Sequence, residues 1–364
     1  MKVLVWQWGR RGAGPRFAGA LTAGFAALEG VEALLSLSTG AEILHGADAP
    51  QCALPVSTYY GIGGLAWRAL QAPVMVRQLV AALRRLRPEL AVCAQPGPLD
   101  LVMIAALRRV GVPAVVIVHD ATPHPGDGFP LLFTLQRALT RRCGVVIALS
   151  EHVAAGLRAQ RAVRPGTKLV VAAHPPFGFG VVAPAGAHPG PRRVLNFGRL
   201  LPYKGLDLLA EALHLLGPRP DMEVRVVGQG PESAALTALR ALPGVTVENR
   251  WVPEGEVGAL LAWSDIVVLP YREASQSGVA AAAIAAGRRV VATRVGGVVE
   301  QLRDEPLATL CAPEGTELAT ALASALRLTE GTGVAPAGAR DGWRRLARIV
   351  LDGAAPDWRV PAPD

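Results

Sequence analysis

The sequence predicts an α/β protein made of two doubly wound, Rossmann-like domains that face a central cleft. Three observations lead to this prediction. The chain has 364 residues, more than one hydrophobic core usually serves. Short apolar runs rich in Val alternate with longer amphipathic stretches, as parallel strands covered by helices on both faces do. A Pro- and Gly-rich segment at 174–193 interrupts this alternation, as an interdomain linker does.

The first domain is predicted to span residues 1–180, with helices between its strands. Its expected strands lie near 2–6, 31–37, 90–94, 114–118, 145–148 and 168–172. The second domain is predicted to span 181–340, again with a helical stretch after each strand, and a last segment covers 341–364. Its expected strands lie near 193–197, 223–227, 245–248, 266–269 and 289–293. Doubly wound sheets bind ligands beyond the carboxyl ends of their strands, so functional residues should follow the strands directly.

The formal net charge of +8 is concentrated in the first half of the chain. Residues 1–190 contain 18 Lys and Arg against 9 Asp and Glu, whereas residues 191–364 contain 19 against 20. A basic face attracts phosphorylated substrates, anionic lipid or nucleic acid. Because no RNA- or DNA-binding motif is present, we expect no nucleic-acid partner, and an anionic acceptor or peripheral contact with an anionic membrane remains open.

Four cysteines lie far apart without a CxxC pair, which predicts neither a zinc site nor a disulfide framework. The chain begins with the strand-like KVLVW, and no apolar run reaches membrane-spanning length. We therefore expect a soluble cytoplasmic protein, with peripheral attachment at the inner face of the cell membrane as an option.

The stretch VLNFGRLLPYKG at 194–205 carries the strongest functional signal. An apolar strand ends at Gly198, and Arg199 and Lys204 follow five residues apart before a helix opens. Two cations that converge on one anion predict a diphosphate pocket at this strand end. The alternative is a surface loop that is basic by chance.

The stretch YREASQSG at 271–278 carries the second signal. Its last four residues, Ser275, Gln276, Ser277 and Gly278, lead into the strong helix former VAAAAIAAG. Unpaired amides in the first turn of a helix bind phosphate oxygens, although a serine here also serves as an ordinary helix cap. Two more strand ends contribute further candidates: Gly228 and Gly230 in VRVVGQG at 224–230, and Glu300 at the end of RVGGVVE at 294–300.

In the first domain, His119 and Asp120 leave the end of a predicted strand, and His124 follows. A histidine beside an acid at a strand end is a candidate for the cleft. The glycine-rich turn at 8–17 allows close backbone approach through Gly12 and Gly14, but it is not a GxGxxG match.

The sequence resembles the retaining glycosyltransferases of family 4, which have the GT-B fold. The resemblance is carried by GRLLPYKG at 198–205, VVGQGPE at 226–232, the stretches 252–271 and 287–300, and SEHV at 150–153. It implies transfer of a sugar from a nucleotide-diphosphate-sugar donor, held mainly by the second domain, to an acceptor held mainly by the first. It implies no metal and no cofactor other than this co-substrate. It also implies that the terminal segment crosses back onto the first domain.

The resemblance gives each candidate residue a role. The catalytic candidates are Arg199 and Lys204, which neutralise the diphosphate, and His119, which lies near the transferring sugar. The diphosphate candidates are Gly12, Gly14, Ser275, Gln276, Ser277 and Gly278. Candidates for the nucleoside or donor sugar are Gly228, Gly230, Glu273 and Glu300, and those for the acceptor are Asp120, His124 and Arg16.

One departure from the family pattern concerns its two glutamates, whose places are taken here by Ala274 and Ala282. Glu273 stands one residue early, and SQSG resembles a branch in which this loop contacts the diphosphate. The acceptor is a glycan, a lipid-linked intermediate or a small metabolite. Two other functions stay open: a nucleotide-sugar 2-epimerase, and a non-catalytic subunit that binds a nucleotide sugar.

Overall fold

The computed structural model describes residues 1–46, 48–126, 130–179, 188–328 and 339–354. Within these ranges the strands form two six-stranded sheets in which every pairing is parallel. Helices alternate with the strands in both. The predicted fold class, two Rossmann-like α/β domains, is confirmed.

The first sheet has the strand order β2-β1-β3-β4-β5-β6. Its strands are β1 (Lys2–Gln7), β2 (Glu32–Leu37), β3 (Leu90–Cys93), β4 (Ala114–Val118), β5 (Val145–Ala148) and β6 (Lys168–Val171). Its helices are α1 (Ala13–Ala26), α2 (Gly61–Leu70), α3 (Ala72–Leu86), α4 (Asp100–Val110), α5 (Pro130–Thr140) and α6 (Glu151–Ala159). The order reverses between β1 and β3, so this is where the fold opens a crevice for ligands.

The second sheet has the order β12-β11-β10-β7-β8-β9 and reverses between β7 and β10. Its strands are β7 (Arg192–Arg199), β8 (Met222–Gln229), β9 (Val245–Asn249), β10 (Ile266–Leu269), β11 (Arg289–Thr293) and β12 (Ala308–Cys311). Its helices are α7 (Leu206–Leu216), α8 (Ala234–Arg240), α9 (Glu254–Trp263), α10 (Gly278–Ala285), α11 (Val298–Leu302) and α12 (Gly315–Arg327). The sequence-based strand assignment omitted β12.

The central strands are buried on both faces because both faces are covered by helices. All residues of β3, β4, β5 and β10 are buried, and they are mainly Val, Ile, Leu and Ala. Continuous apolar runs of this kind are what a covered parallel sheet requires, since no face meets water. This packing leaves the polar chemistry to the loops at the strand ends.

The last helix, α13 (Ala339–Gly353), packs on the first unit. The Trp343 ring meets Phe17 of α1 edge-on, with the ring centroids 4.9 Å apart. A Cβ atom at Gly24 would lie 2.5 Å from the carbonyl oxygen of Trp343, so glycine is needed where α1 and α13 cross. Residues 355–364 of the predicted terminal segment lie outside the described residues.

The chain divides into two compact units that are described separately below. The first contains Met1–Pro123, Phe129–Ala173 and Arg340–Asp364, and the second contains His124–Gly128 and His174–Ala339, each over its described residues. The limits predicted from the sequence, 180/181 and 340/341, stay predictions.

Candidate functional site

Glycines at the ends of β7 and β8 let the backbones touch at the carboxyl edge of the second sheet. A Cβ atom at Gly228 would lie 1.7 Å from the carbonyl oxygen of Gly198, and one at Gly230 would lie 2.1 Å from that of Leu200. Gly198 itself has a φ of 127°, which side chains of L-residues rarely allow. The predicted candidates Gly228 and Gly230 therefore have a structural role at this edge.

Lys204 follows β7 on the 3-10 turn Pro202–Lys204. The next residue, Gly205, has a φ of 65°, and a Cβ atom there would lie 1.7 Å from the carbonyl oxygen of Pro270. The turn thus packs directly on the chain that leaves β10. This contact places the Lys204 amine 3.8 Å from the centre of the Tyr271 ring. Lys204 makes no ion pair with any residue the structure describes.

Arg199 is the last residue of β7, and its side chain is exposed. Its Nη2 atom donates a hydrogen bond of 2.6 Å to the hydroxyl of Tyr203, the residue before Lys204. The guanidinium also lies 5.6 Å from the centre of that ring. Tyr203 therefore orients Arg199 towards the turn that carries the second cation.

Ser277 is the N-cap of α10 and is hydrogen-bonded within the protein through its side chain and its backbone. Its Oγ accepts from the Ala280 amide at 3.1 Å and lies 3.1 Å from the Tyr271 hydroxyl. Its amide donates to Gln301 Oε1 at 2.8 Å, and Gln301 Nε2 donates to its carbonyl oxygen at 3.0 Å. Ser277 thus holds the start of the helix in place, which agrees with the capping alternative.

The next two amides, those of Gly278 and Val279, have no acceptor among the described residues. Val279 lies beside the end of β7, because a Cβ atom at Gly198 would lie 3.6 Å from its Cγ2 atom. Within the described chain, the buried Gln276 Oε1 also has no hydrogen-bond partner. Ser275 is buried next to it. The helix start therefore offers two amide donors at the edge that carries the two cations.

The carboxyl edge of the second sheet consequently brings positive charge and hydrogen-bond donors together. Arg199 and Lys204 follow β7, and the free amides of α10 follow the neighbouring strand β10. The partial positive charge at a helix N-terminus adds to that of the two side chains. A phosphate or diphosphate group matches this set of donors in charge and geometry.

His124 and Glu273 lie far apart in the sequence and meet in the second unit. His124 Nδ1 is 3.0 Å from Glu273 Oε1, and the His124 ring stacks on Tyr203 with centroids 4.7 Å apart. His124 was predicted as an acceptor contact of the first domain, but it belongs to the second unit. Its role towards an acceptor stays a prediction, as does that of Glu273 towards the nucleoside.

Ala274 and Ala282, which stand at the places of the family's glutamates, are both buried in the apolar cluster around Tyr271. A carboxylate at either position would be desolvated there, so an ionised acid at these two points would be unfavourable. The loop is instead held by its backbone, because the Gly297 amide donates to the carbonyl oxygen of Ala274 at 3.0 Å. Glu300, half-buried in the first turn of α11, lies on the helix that this bond secures.

His119 is the first residue after β4 and is buried in the first unit. Its Nε2 atom lies 2.9 Å from the carbonyl oxygen of Ala94 and donates to it, since a carbonyl only accepts. Phe17 meets the imidazole edge-on at 4.7 Å. Burial lowers the pKa of His119, so the ring is neutral near pH 7.

The other candidates of the first unit surround the start of α1 and the loop after His119. Gly12 is the N-cap of α1 with a φ of 80°, and a Cβ atom at Gly14 would lie 2.4 Å from Gln95 Oε1. Arg16 lies in the first turn of α1 and is half-buried. The carbonyl oxygen of Asp120 accepts from Gln136 Nε2 at 2.6 Å.

The sequence interpretation missed a buried carboxylate at the crevice of the first sheet. Asp100 accepts hydrogen bonds from Trp6 Nε1 at 3.0 Å, Cys93 Sγ at 3.3 Å and the Gly97 amide at 2.6 Å. Burial raises its pKa to about 6. It also missed Tyr203 and Tyr271, whose positions next to Lys204 and two residues after β10 were the available signals.

A doubly wound unit with glycines, two cations and a helix N-terminus at its switch point belongs to the nucleotide-binding class of α/β proteins. The family comparison is specific. Residues 191–328 match the model for "Glycosyl transferases group 1", and residues 45–175 match that for "Glycosyltransferase Family 4". The chain belongs to this glycosyltransferase family.

One curated relative is the GDP-mannose:glycolipid 4-beta-D-mannosyltransferase of Xanthomonas campestris pv. campestris, which is 27% identical over 203 residues, 52% of each chain. The chain spans about half the length of the curated relatives that this match represents. Among solved structures, sucrose-phosphate synthase from Thermosynechococcus elongatus superposes with a TM-score of 0.67 at 15% identity, covering 97% of this chain and 96% of that one. Anabaena HepE in complex with UDP and glucose gives 0.66 at 17% identity, covering 98% and 100%. These likenesses establish the GT-B fold.

None of the helices that the structure describes combines the length and apolar character needed to cross a bilayer. Likewise, the described ranges contain no group of three His, Cys, Asp or Glu side chains arranged to hold a metal ion.

Proposed function

We propose that this protein transfers a sugar from a nucleotide-diphosphate-sugar donor to an acceptor hydroxyl, with retention of the anomeric configuration and without a metal ion. The main support is that Lys204, Arg199 and the amides of Gly278 and Val279, which have no acceptor among the described residues, lie at the same edge of the second sheet. Family membership supports the reaction class, and the UDP in the HepE structure supports a nucleotide-sugar donor.

The mechanism follows from where charge develops. When the bond between the anomeric carbon and the diphosphate breaks, negative charge grows on the leaving oxygen. Fixed cations and amides that bind this charge more strongly in the transition state than in the bound donor lower the barrier. The positive charges of Arg199 and Lys204 stabilise that negative charge, so the proposal requires no divalent ion.

Retention follows if departure and attack occur on the same face of the sugar. The leaving phosphate then takes the proton of the acceptor hydroxyl, and no protein base is needed. In this proposal His119 orients the sugar rather than removing a proton, because its Nε2–H donates to the Ala94 carbonyl and its lowered pKa makes the ring a weak base. The proton lost by the acceptor hydroxyl is therefore taken up by the leaving phosphate.

The name of the mannosyltransferase relative includes a GDP-mannose donor and a glycolipid acceptor. Together with the basic first half of this chain, it is compatible with a lipid-linked acceptor at an anionic membrane, whereas other relatives are named D-inositol 3-phosphate glycosyltransferase and 2-deoxystreptamine glucosyltransferase, after small polar acceptors. The name of the mannosyltransferase specifies a β-linkage in that relative's product, so the configuration formed by this chain has to be measured directly. NMR of the anomeric proton, compared between donor and product, tests retention.

A panel of UDP, GDP, ADP and TDP sugars, incubated with the purified chain and a lipid extract, tests the function. We expect one donor to release its nucleoside diphosphate only when an acceptor is present, with the sugar recovered on that acceptor. Recovery of a donor with an altered sugar would replace the proposal by 2-epimerisation. Tight binding without turnover of any donor would replace it by a non-catalytic subunit.

A further inference from the structure

Helix α2 and the start of α3 expose a concentration of large apolar side chains. Tyr60, Ile62, Trp67, Leu70 and Val74 are 70%, 72%, 61%, 76% and 53% exposed, and α2 has no buried residue. These five make up more than half of the exposed large hydrophobic residues that the structure describes. Contiguous exposed apolar surface of this kind marks an interaction site.

The exposed apolar residues of α2 are followed by exposed arginines on α3. Trp67 and Leu70 are exposed on α2, and Val74, Arg77 and Arg84 are exposed on α3, where spacings of three and seven residues keep these three on one helical face. The opposite side of α3 packs into the core through Met75, Val76, Leu79 and Leu83. We call the five exposed residues, together with Tyr60 and Ile62, the α2–α3 face.

The charge around the α2–α3 face has a single sign. Residues 49–88 contain five arginines and no Asp or Glu. A face with apolar side chains at one end and arginines at the other is complementary to a bilayer surface, where acyl chains and anionic headgroups lie side by side.

The α2–α3 face begins close to the ligand edge of its own sheet. The Arg10 guanidinium lies 3.3 Å from the centre of the Tyr60 ring, and Arg10 belongs to the turn that follows β1. An acceptor that is anchored in a membrane bound by this face would emerge next to the crevice of the first sheet. The location thus agrees with a lipid-linked acceptor.

We propose that the α2–α3 face docks this protein on an anionic phospholipid bilayer, with Trp67, Leu70 and Val74 inserted at the interface and Arg77 and Arg84 on the phosphates. This deepens the proposed function by naming the surface that makes the membrane contact. It also limits the acceptor to a class that is presented at such a membrane.

Co-sedimentation of the full chain with vesicles tests this inference in the absence of any sugar donor. We expect binding to mixed phosphatidylcholine and phosphatidylglycerol vesicles, and much weaker binding to phosphatidylcholine alone. Replacing Arg77 and Arg84 together by Gln should lower the partition coefficient on the order of twentyfold, as the loss of two cations at an anionic surface does. Leu70→Asp should lower it by about tenfold or more through lost apolar contact.

Two matched variants control for general effects of charge and polarity. Replacing Arg108 and Arg109 by Gln removes the same charge at the end of α4, and Leu215→Asp adds the same acid at an exposed leucine of α7. Both should bind vesicles as the parent chain does. Thermal unfolding of every variant checks that the exposed substitutions leave the fold intact.

Equal binding by all variants, or no binding by the parent chain, would overturn the inference. So would a dimer, seen by analytical ultracentrifugation, that Leu70→Asp dissociates, because the face would then be a protein interface. With the acceptor supplied in detergent, so that no bilayer is present, nucleotide release should be unchanged in Leu70→Asp. Failure of docking is thereby distinguished from failure of the proposed transfer reaction.

Discussion

The amine of Lys204 lies 3.8 Å from the centre of the Tyr271 ring, and the hydroxyl of the same ring is 3.1 Å from Ser277 Oγ at the start of α10. One aromatic side chain therefore connects the cation that follows β7 to the helix that follows β10. Tyr271 thereby fixes the separation between Lys204 and the start of α10.

This connection predicts different outcomes for two substitutions of Tyr271. Tyr271→Leu removes the ring and should weaken binding of a nucleoside diphosphate by about tenfold, since a desolvated cation–π contact contributes on that scale. Tyr271→Phe retains the ring and should stay within about threefold, the cost of one lost hydrogen bond. Isothermal titration calorimetry measures both. An equal loss in the two variants would show that Lys204 does not depend on the ring.

Removal of either cation should impair transfer far more than donor binding. We expect Arg199→Ala and Lys204→Ala each to lower kcat on the order of a hundredfold, as loss of one strong electrostatic contact to developing charge does. Arg327→Ala, at the exposed end of α12, is the matched control and should turn over normally. Near-normal kcat in either site variant would contradict the proposed charge stabilisation.

Transfer should continue in the presence of excess EDTA. The proposal assigns the neutralisation of the diphosphate to Arg199, Lys204 and the α10 amides, so chelation leaves these groups unchanged. The measurement is the initial rate of nucleotide release, compared with and without chelator after extensive dialysis. Abolition of the rate by EDTA, restored by added Mg²⁺ or Mn²⁺, would refute metal independence.

Gly205→Ala should destabilise the protein much more than Gly111→Ala, although both glycines are left-handed, with φ of 65° and 70°. At Gly111 nothing lies within 4 Å of the new Cβ atom, so only the backbone cost of about 1–2 kcal/mol applies. At Gly205 the Cβ atom would overlap the Pro270 carbonyl, which adds about 1–3 kcal/mol or more. Urea unfolding compares the two. Equal destabilisation would mean that the turn moves away from Pro270 easily.

Asp100 should make the first unit more stable in mild acid than at neutral pH. Its pKa is raised from 3.8 to about 6 in the folded state, so the folded protein holds its proton more tightly than the unfolded chain does. The resulting stabilisation is complete below about pH 4 and is lost as pH rises through 6, with a total of about 3 kcal/mol. Urea unfolding of the parent chain and of Asp100→Asn should show that the parent loses stability relative to the variant as the pH rises across this window. A constant difference between the two would contradict the shift.

The sequence was sufficient to predict the parallel sheets and the position of the two cations at a strand end. The strands were found because covered parallel strands are nearly continuous apolar runs, and the cations were found because ligands lie after strand ends. β12 was missed because ATLC is short, lies at the sheet edge and is only half-buried in three of its four residues. A weak, partly exposed run carries little periodicity to detect.

The contacts that required the structure are those between residues distant in sequence. No local pattern indicates that His124 pairs with Glu273, 149 residues away, or that Asp100 receives the indole N–H of Trp6, 94 residues away. The loop at 275–278 is a second case in which the sequence alone could not decide. Its sequence allowed either a cap or phosphate ligands, and only the geometry shows that Ser277 is the cap while the amides of Gly278 and Val279 remain available.

The reciprocal pair of hydrogen bonds between Gln301 and Ser277 reproduces what two peptide groups do in a strand ladder. A side chain of α11 is thereby fastened to the first residue of α10 at two points, which resists twisting as well as separation. If donor binding displaces α10, these two hydrogen bonds require α11 to move with it. The residue next to Gln301 is Glu300, so any such movement would carry a carboxylate with it.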